Sequence, residues 1–229
     1  MTLDRFDWIS IPPGKVTLET GQTFTVPAFA ITRLPVTNAD YDLFVRAEDG
    51  YARPEWWAFS QDAQAFHAEN PAPPYTAHPG DNLPRTNVSW YEAVAFSRWL
   101  SAQLGQHISL PTEQQWQRAA QGDTGWRFPW GDQFDPSRCN FNTDGPTPVG
   151  QFPDGASPFG VLDMAGNVWE WCLNDYYTGS TDISLPATDR VLRGGSWWCN
   201  TPGDLAVDYR NGGYLHGWSH DWGFRVVRL

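Results

Sequence analysis

The stretch "VLDMAGNVWEWCL" (residues 161–173) sets the terms for the whole chain. It opens apolar, breaks at Gly166-Asn167, and resumes as "VWEWCL", too short for a helix and bounded by turn formers. Asp163 and Glu170 stand seven residues apart across that break. If the segment is a turn feeding a strand, those two carboxylates and the carbonyls of Gly166 and Val168 can meet at one point. Oxygen donors of mixed carboxylate and carbonyl type suit Ca²⁺, which tolerates loose geometry. The competing reading pairs Glu170 with an arginine and leaves Asp163 capping the turn.

Outward from this stretch the same texture continues to the C-terminus. "RVLRGGSW" (190–197) and "WGFRVVRL" (222–229) are further short apolar pieces set among Gly, Pro, Asn and Asp. From Trp126 onward helical periodicity is absent, which predicts β-hairpins and irregular loops. The N-terminal half differs. "WISIPPG" (8–14) and "FTVPAFAI" (24–31) read as short strands, and three helices follow. Thr37 opens the first, with Asp40 at its third position and Tyr41, Phe44 and Val45 on one face. Ser89 with Glu92, and Thr112 with Gln115, form capping boxes for the second and third, which stop at Gly105 and Gly122. Residues 50–82, polar, Pro-rich and aromatic, read as a long surface excursion with at most one short helix. The expected fold class is α+β, a single domain over residues 1–229 with little regular secondary structure, three short helices and β-hairpins.

Composition narrows the function. The chain has 229 residues, 26 acidic against 15 basic, for a net charge of −11. With no basic stripe to neutralise phosphates, nucleic acid is not an expected partner. No apolar run approaches the ~20 residues that span a bilayer, and "MTLDRFDWIS" lacks a signal-peptide pattern; a cytoplasmic protein without a membrane partner is expected. Three cysteines without CxxC spacing argue against a disulfide framework. The 14 Trp, 13 Phe and 8 Tyr suggest a loop-rich body held by aromatic clusters.

Seven segments in order, "ITRLPVTNADYDLFV", "LPRTNVSWYEAVAFSRWLS", "LPTEQQWQRAA", "FPWGD", "GVLDMAGNVWEW", "RVLRGGSWW" and "GFRVVRL", resemble the formylglycine-generating enzyme (sulfatase-modifying factor) family from about Phe6 to Leu229. The resemblance implies a C-type-lectin-type fold and a structural calcium on the side chains of Asp163 and Glu170 and the carbonyls of Gly166 and Val168. It also bears on chemistry. Family enzymes oxidise a substrate cysteine with oxygen, using copper between two cysteines. The first matches Cys199; the second falls at Asp204, a hard carboxylate poorly suited to Cu(I). The related sulfoxide synthases hold iron with a histidine-bearing helical domain; here the five histidines, 67, 78, 107, 216 and 220, are scattered, and the one pair at HxxxH spacing, His216 and His220, brackets a Gly-Trp-Ser turn sequence.

The segment 198–222, "WCNTPGDLAVDYRNGGYLHGWSHDW", is therefore read as a binding face for a protein or small-molecule ligand. Trp198, Cys199, Asn200, Asp204, Asp208, Tyr209, Asn211, Tyr214, His216, Trp218, Ser219, His220 and Asp221 are its candidate contacts. Tyr with Ser, Gly and Asn gives rigid contact area plus adaptable hydrogen bonding. One branch of the resembling family, the variable proteins of diversity-generating retroelements, varies this stretch between fixed "RGGSW" and "GFR". Its adenine-directed chemistry does not reach Lys, Glu, Gln, Met or Trp; residues 198–222 contain none of the first four, and Trp198, Trp218 and Trp222 would be fixed framework. The expected function is non-catalytic ligand binding on a calcium-stabilised frame. The alternative is copper-dependent oxidation of a cysteine-containing substrate, with Cys199 as the catalytic thiol.

Overall fold

The computed structural model describes residues 6–229. Strands β1 (Trp8–Ile11) and β4 (Phe29–Thr32) pair antiparallel, and a hairpin of β2 (Gly14–Thr17) and β3 (Thr23–Val26) separates them in sequence. Helix α1 (Asn38–Arg46), a 3₁₀ turn (Pro54–Trp57), α2 (Gln61–Glu69) and α3 (Trp90–Leu104) follow. Then come β5 (Ile108–Ser109) and α4 (Glu113–Gln121). The remainder holds β6 (Trp169–Asp175), β7 (Asp189–Arg193), β8 (Arg210–Tyr214), β9 (Trp222–Gly223) and β10 (Val227–Arg228).

Two four-stranded sheets carry the frame, ordered β1-β4-β10-β5 and β8-β7-β6-β9. The C-terminal strand β10 lies between β4 and β5, so the last residues close the first sheet. Strand β9 runs parallel to β6, with Trp169 opposite Trp222. The loop 215–221 is thereby pinned at both ends, by β8 and by β9, and is presented on a fixed edge.

The two expected capping boxes form, and the N-cap Thr37 forms one as well with Asp40. Thr37, Ser89 and Thr112 each accept from the backbone N–H three residues on, and Asp40, Glu92 and Gln115 reach back. Gly105 ends α3 at φ 61°, the left-handed conformation that glycine adopts without Cβ strain.

The excursion 50–82 departs from the expectation. It contains both the 3₁₀ turn and the short α2, giving four α-helices among the described residues, and it is not all surface. Tyr51, Trp57, Phe59, Ala63 and Phe66 are buried in the larger core with Tyr41, Phe44, Phe96 and Trp99. Trp57 stacks on His67 at 4.4 Å and meets Tyr51 edge-on at 5.1 Å. Polar residues around these aromatics hid them in the sequence, since no 3.6-residue period survives so many prolines. A second core gathers Ile11, Val16, Phe29, Ile31, Trp116, Met164 and Val227 between the first sheet and α4.

Buried arginines join the halves. Arg225, with no exposed surface, donates to Glu170 through Nε (2.6 Å) and Nη2 (2.7 Å), and its remaining N–H groups reach the carbonyls of Thr32, Arg33 and Leu162. A guanidinium forked on a carboxylate and also bonded to carbonyls has its donors satisfied, which is what makes its burial tolerable. Glu113 likewise accepts from Arg193 (3.5 Å) and Arg210 (3.1 and 3.2 Å).

Candidate functional site

The turn 163–167 is tight: Asp163, Gly166 and Asn167 take φ of 56°, 81° and 67°. A Cβ on Gly166 would stand 2.4 Å from the carbonyl oxygen of Asn140, so only glycine fits. The turn does feed strand β6, as the spacing predicted. The donors of the expected calcium set do not fit a cation, however. Both oxygens of Glu170 are taken, by Arg225 and by Trp116 Nε1 (2.7 Å). Asp163 accepts from the Gly150 N–H (2.7 Å), and burial pushes its carboxyl up to about 6, opposed by that hydrogen bond and by Arg225. A guanidinium stands at Glu170 where the ion's charge was expected. Asp163, Gly166, Val168 and Glu170 thus read as a turn and an arginine-paired strand residue.

Cys199 sits on the turn after β7. Its Sγ accepts from the Ser196 N–H at 3.3 Å and lies 3.8 Å from Ser196 Oγ. That hydroxyl donates to Asp221 (2.7 Å), whose other oxygen accepts from Ser219 (2.5 Å). Burial raises the Cys199 thiol above its usual range, and Asp204 and Asp221 raise it further against the Ser196 hydrogen bonds. In this arrangement the sulfur is engaged by the Ser196 N–H and lies beside its hydroxyl. All three cysteines are free. Cys139 belongs to the small apolar cluster against which Cys199 packs, and burial with Asp135 pushes it up to about 12; Cys172 lies in the second core. The donor set therefore does not fit a two-thiolate Cu(I) centre.

The candidate contacts of 198–222 divide among four places. Asp204, Asp208 and Tyr209 line a recess of about 500 Å³ together with Thr201, Glu19, Trp126, Arg127 and Asp132. Four carboxylates, one guanidinium and two aromatic rings share that space. Burial raises the Asp204 carboxyl, and the Tyr209 phenol is raised by burial, then by Asp204 and Glu19. Among the described residues Glu19, Asp204 and Asp208 make no salt bridge. Trp198 (63% exposed) and exposed Asn200 flank Cys199 in the chain, Asp221 and Ser219 are tied to it through Ser196, and His220 packs edge-on to Trp198 at 4.7 Å. Trp218 instead turns toward α3, where its Nε1 donates to buried Glu92 (2.7 Å). Asn211 and Tyr214 lie on β8, and His216 is exposed just past it.

Sequence reasoning missed Glu19, Trp126, Arg127 and Asp132. Glu19 comes from the β2–β3 turn and the others from the loop after α4, so only the fold brings them to residues 201–209. "FPWGD" carried the family resemblance, and nothing in it told which side chains the loop would turn outward.

Among the described residues no helix is long and apolar enough to cross a membrane. Residues 3–229 match the family described as the sulfatase-modifying factor enzyme 1-like domain. Among curated proteins the chain is 34% identical over 230 residues to the hercynine oxygenase of Mycolicibacterium smegmatis, covering 85% of this chain and 50% of that protein. It is 30% identical over 259 residues to the "Inactive C-alpha-formylglycine-generating enzyme 2" of Mus musculus, covering 94% and 80%. The chain spans about half the length of the hercynine oxygenases it matches. Of solved structures, PvdO from Pseudomonas aeruginosa superposes with TM-score 0.79 at 22% identity, over 99% of this chain and 95% of that one. Treponema denticola variable protein 1 does so at 0.72 and 22%, over 97% and 95%. At those identities the two structures show a shared fold. The chain belongs to the sulfatase-modifying factor, or formylglycine-generating-enzyme-like, family.

Proposed function

We propose that this protein is a non-catalytic binding protein of its family, and that the recess beside Cys199 takes a cationic group from a protein or small-molecule ligand. The observation that carries this is the wall of the recess: Glu19, Asp132, Asp204 and Asp208 against the single Arg127, with Trp126 and Tyr209 as ring faces. Carboxylates in a concave, partly dry site focus negative potential. Aromatic faces add about 0.5–2 kcal/mol for an ammonium or guanidinium held over them. Asp204 occupies the place of the family's second copper cysteine, so the change that disfavours Cu(I) also supplies charge for a cation.

The likeness to hercynine oxygenases favours a second reading, in which the domain takes part in oxidation. The hard carboxylate of Asp204 at the place of the family's second cysteine stands against it. The likeness in fold to a variable protein supports a third, finer version of the first: that residues 198–222 are diversified between copies. Comparing the 3′ coding segment with any neighbouring near-copy that differs only at adenines tests that version.

The main reading is tested by calorimetric titration with tetramethylammonium and L-arginine methyl ester, with acetate as control. Both cations are expected to bind the wild type, and Asp204→Asn to weaken them about ten-fold, the size of one lost charge-assisted contact. Equal cation and acetate binding, or no effect of Asp204→Asn, overturns it. Uptake of one equimolar Cu(I) per chain, lost in Cys199→Ser, would favour oxidation instead.

A further inference from the structure

Between α3, β5 and the 3₁₀ turn Pro54–Trp57 lies a second cavity, of about 560 Å³, whose charge is opposite to that of the recess. In a chain of net charge −11, no aspartate or glutamate lines it. Its one guanidinium is that of Arg98, half-buried on α3. Trp56, Val94, Leu110, Leu173 and Ile183 make the walls apolar. Ligand cavities of this size are mostly apolar, with a few placed polar groups that orient what they bind.

The hydrogen bonds show which polar group is free. Ser97 Oγ donates to the Ala93 carbonyl (2.8 Å). Ser101 Oγ donates to the Gln106 carbonyl and accepts from the Ile108 N–H (3.2 Å). Both hydroxyls are spent within the frame. Arg98 is not. Its Cζ lies 5.8 Å from the Phe59 ring centroid, and its one hydrogen bond is a long one, 3.4 Å from Nη2 to the Glu55 carbonyl. Nε is shielded from solvent without a partner, and among the described residues Arg98 makes no salt bridge. Burial pulls the guanidinium below its ordinary range, and no carboxylate pulls it back. A charged fork drawn partly out of water and left unmatched is costly. A planar carboxylate can accept two of its N–H groups at once.

We propose that this cavity binds a free monocarboxylate with a hydrocarbon body, the carboxylate on Arg98 and the alkyl or aryl part against Trp56, Leu110 and Leu173. One guanidinium matches one negative charge. With the Ser97 and Ser101 hydroxyls already bonded, a peptide's amide groups would go short of partners, whereas hydrocarbon needs none. The cavity and the recess share no lining residue, so neither assignment depends on the other.

Calorimetric titration with octanoate tests it, against n-octylammonium, acetate and N-acetylglycyl-leucine. One octanoate per chain is expected to bind below about 1 mM, and the three comparison compounds at least about ten-fold more weakly. Arg98→Gln should weaken octanoate at least about ten-fold, the loss of one charge-assisted contact, while Arg46→Gln, on the exposed face of α1, should change nothing. Ala102→Trp, which brings a ring to the cavity from an exposed position on α3, should weaken octanoate as much. It decides alone if Arg98→Gln lowers the unfolding midpoint. Uptake of octanoate without saturation, equal binding of octylammonium or acetate, or full binding by Ala102→Trp overturns the proposal. Tighter binding of the acylated dipeptide than of octanoate overturns the hydrocarbon body.

Discussion

Two populations of carboxylate divide the molecule. In the frame, Glu170, Glu113 and Glu92 are buried and each is met by donors: Arg225 and Trp116, Arg193 and Arg210, Ser89 with Tyr51 and Trp218. On the face, Glu19, Asp204 and Asp208 share a recess and make no salt bridge among the described residues. A buried charge must be paired inside the protein, because nothing else will pair it. An unpaired charge in an open recess leaves its valence for a ligand. The contrast separates the residues that build this fold from those proposed to meet a ligand.

The largest effect should come from breaking a frame pair. Glu170→Gln leaves Arg225 buried with no counter-charge, at an expected cost of about 3–5 kcal/mol, read as a fall in the denaturant midpoint. Asp204→Asn should not destabilise. Burial raises the Asp204 carboxyl, so the fold disfavours its ionised form. A raised carboxyl contributes stability that falls as pH rises through the window above the unfolded value, and the neutral amide escapes that loss. Equal destabilisation by the two substitutions would erase the distinction between frame and face.

Next in size is Gly166→Ala. The added Cβ would meet the Asn140 carbonyl at 2.4 Å, at a φ of 81°. Strain of this kind costs about 1–3 kcal/mol, and urea unfolding should show it. A neutral result would mean that the turn 163–167 can relax, and that Asp163 is not fixed by its backbone.

Much of the frame was legible in the sequence, and the reason is local. Capping boxes at Thr37, Ser89 and Thr112 and the glycine stop at Gly105 are decided within four residues, so the chain states them outright. The excursion 50–82 was misread because Trp57 and Phe66 owe their burial to α3, not to any periodicity of their own. At Glu170 the spacing left two readings open, and the choice lay 55 residues away at Arg225. The face was half legible. Asp204, Asp208 and Tyr209 could be picked from the segment after Cys199, but Glu19 and Trp126 reach them only through the β2–β3 turn and the loop after α4.

A smaller and purely functional effect should follow pH. Affinity for a cationic probe should rise with pH as Asp204 ionises, with its midpoint above the ordinary carboxylate value of about 3.9, since burial raises it. Asp204→Asn should flatten that part of the titration and leave the unfolding midpoint unchanged. A midpoint at or below the ordinary value would place Asp204 beside a positive charge and weaken the case for a cation site.

The smallest effect, and the sharpest for the frame, is the response to calcium. Family resemblance expects an ion at Asp163 and Glu170, yet Glu170 has both oxygens on Arg225 and one of them also on Trp116. An ion arriving there would have to displace a guanidinium that also holds the carbonyls of Thr32, Arg33 and Leu162. Left with Asp163 and two carbonyls, it would be poorly neutralised and weakly held. Chelation should therefore shift the thermal midpoint by less than about 1 °C, where a ligand bound at a hundred times its Kd would add about 2.7 kcal/mol. A rise of several degrees on adding millimolar calcium would mean that the ion and Arg225 hold Glu170 together. The frame would then be stapled by a cation as well as by its buried arginine.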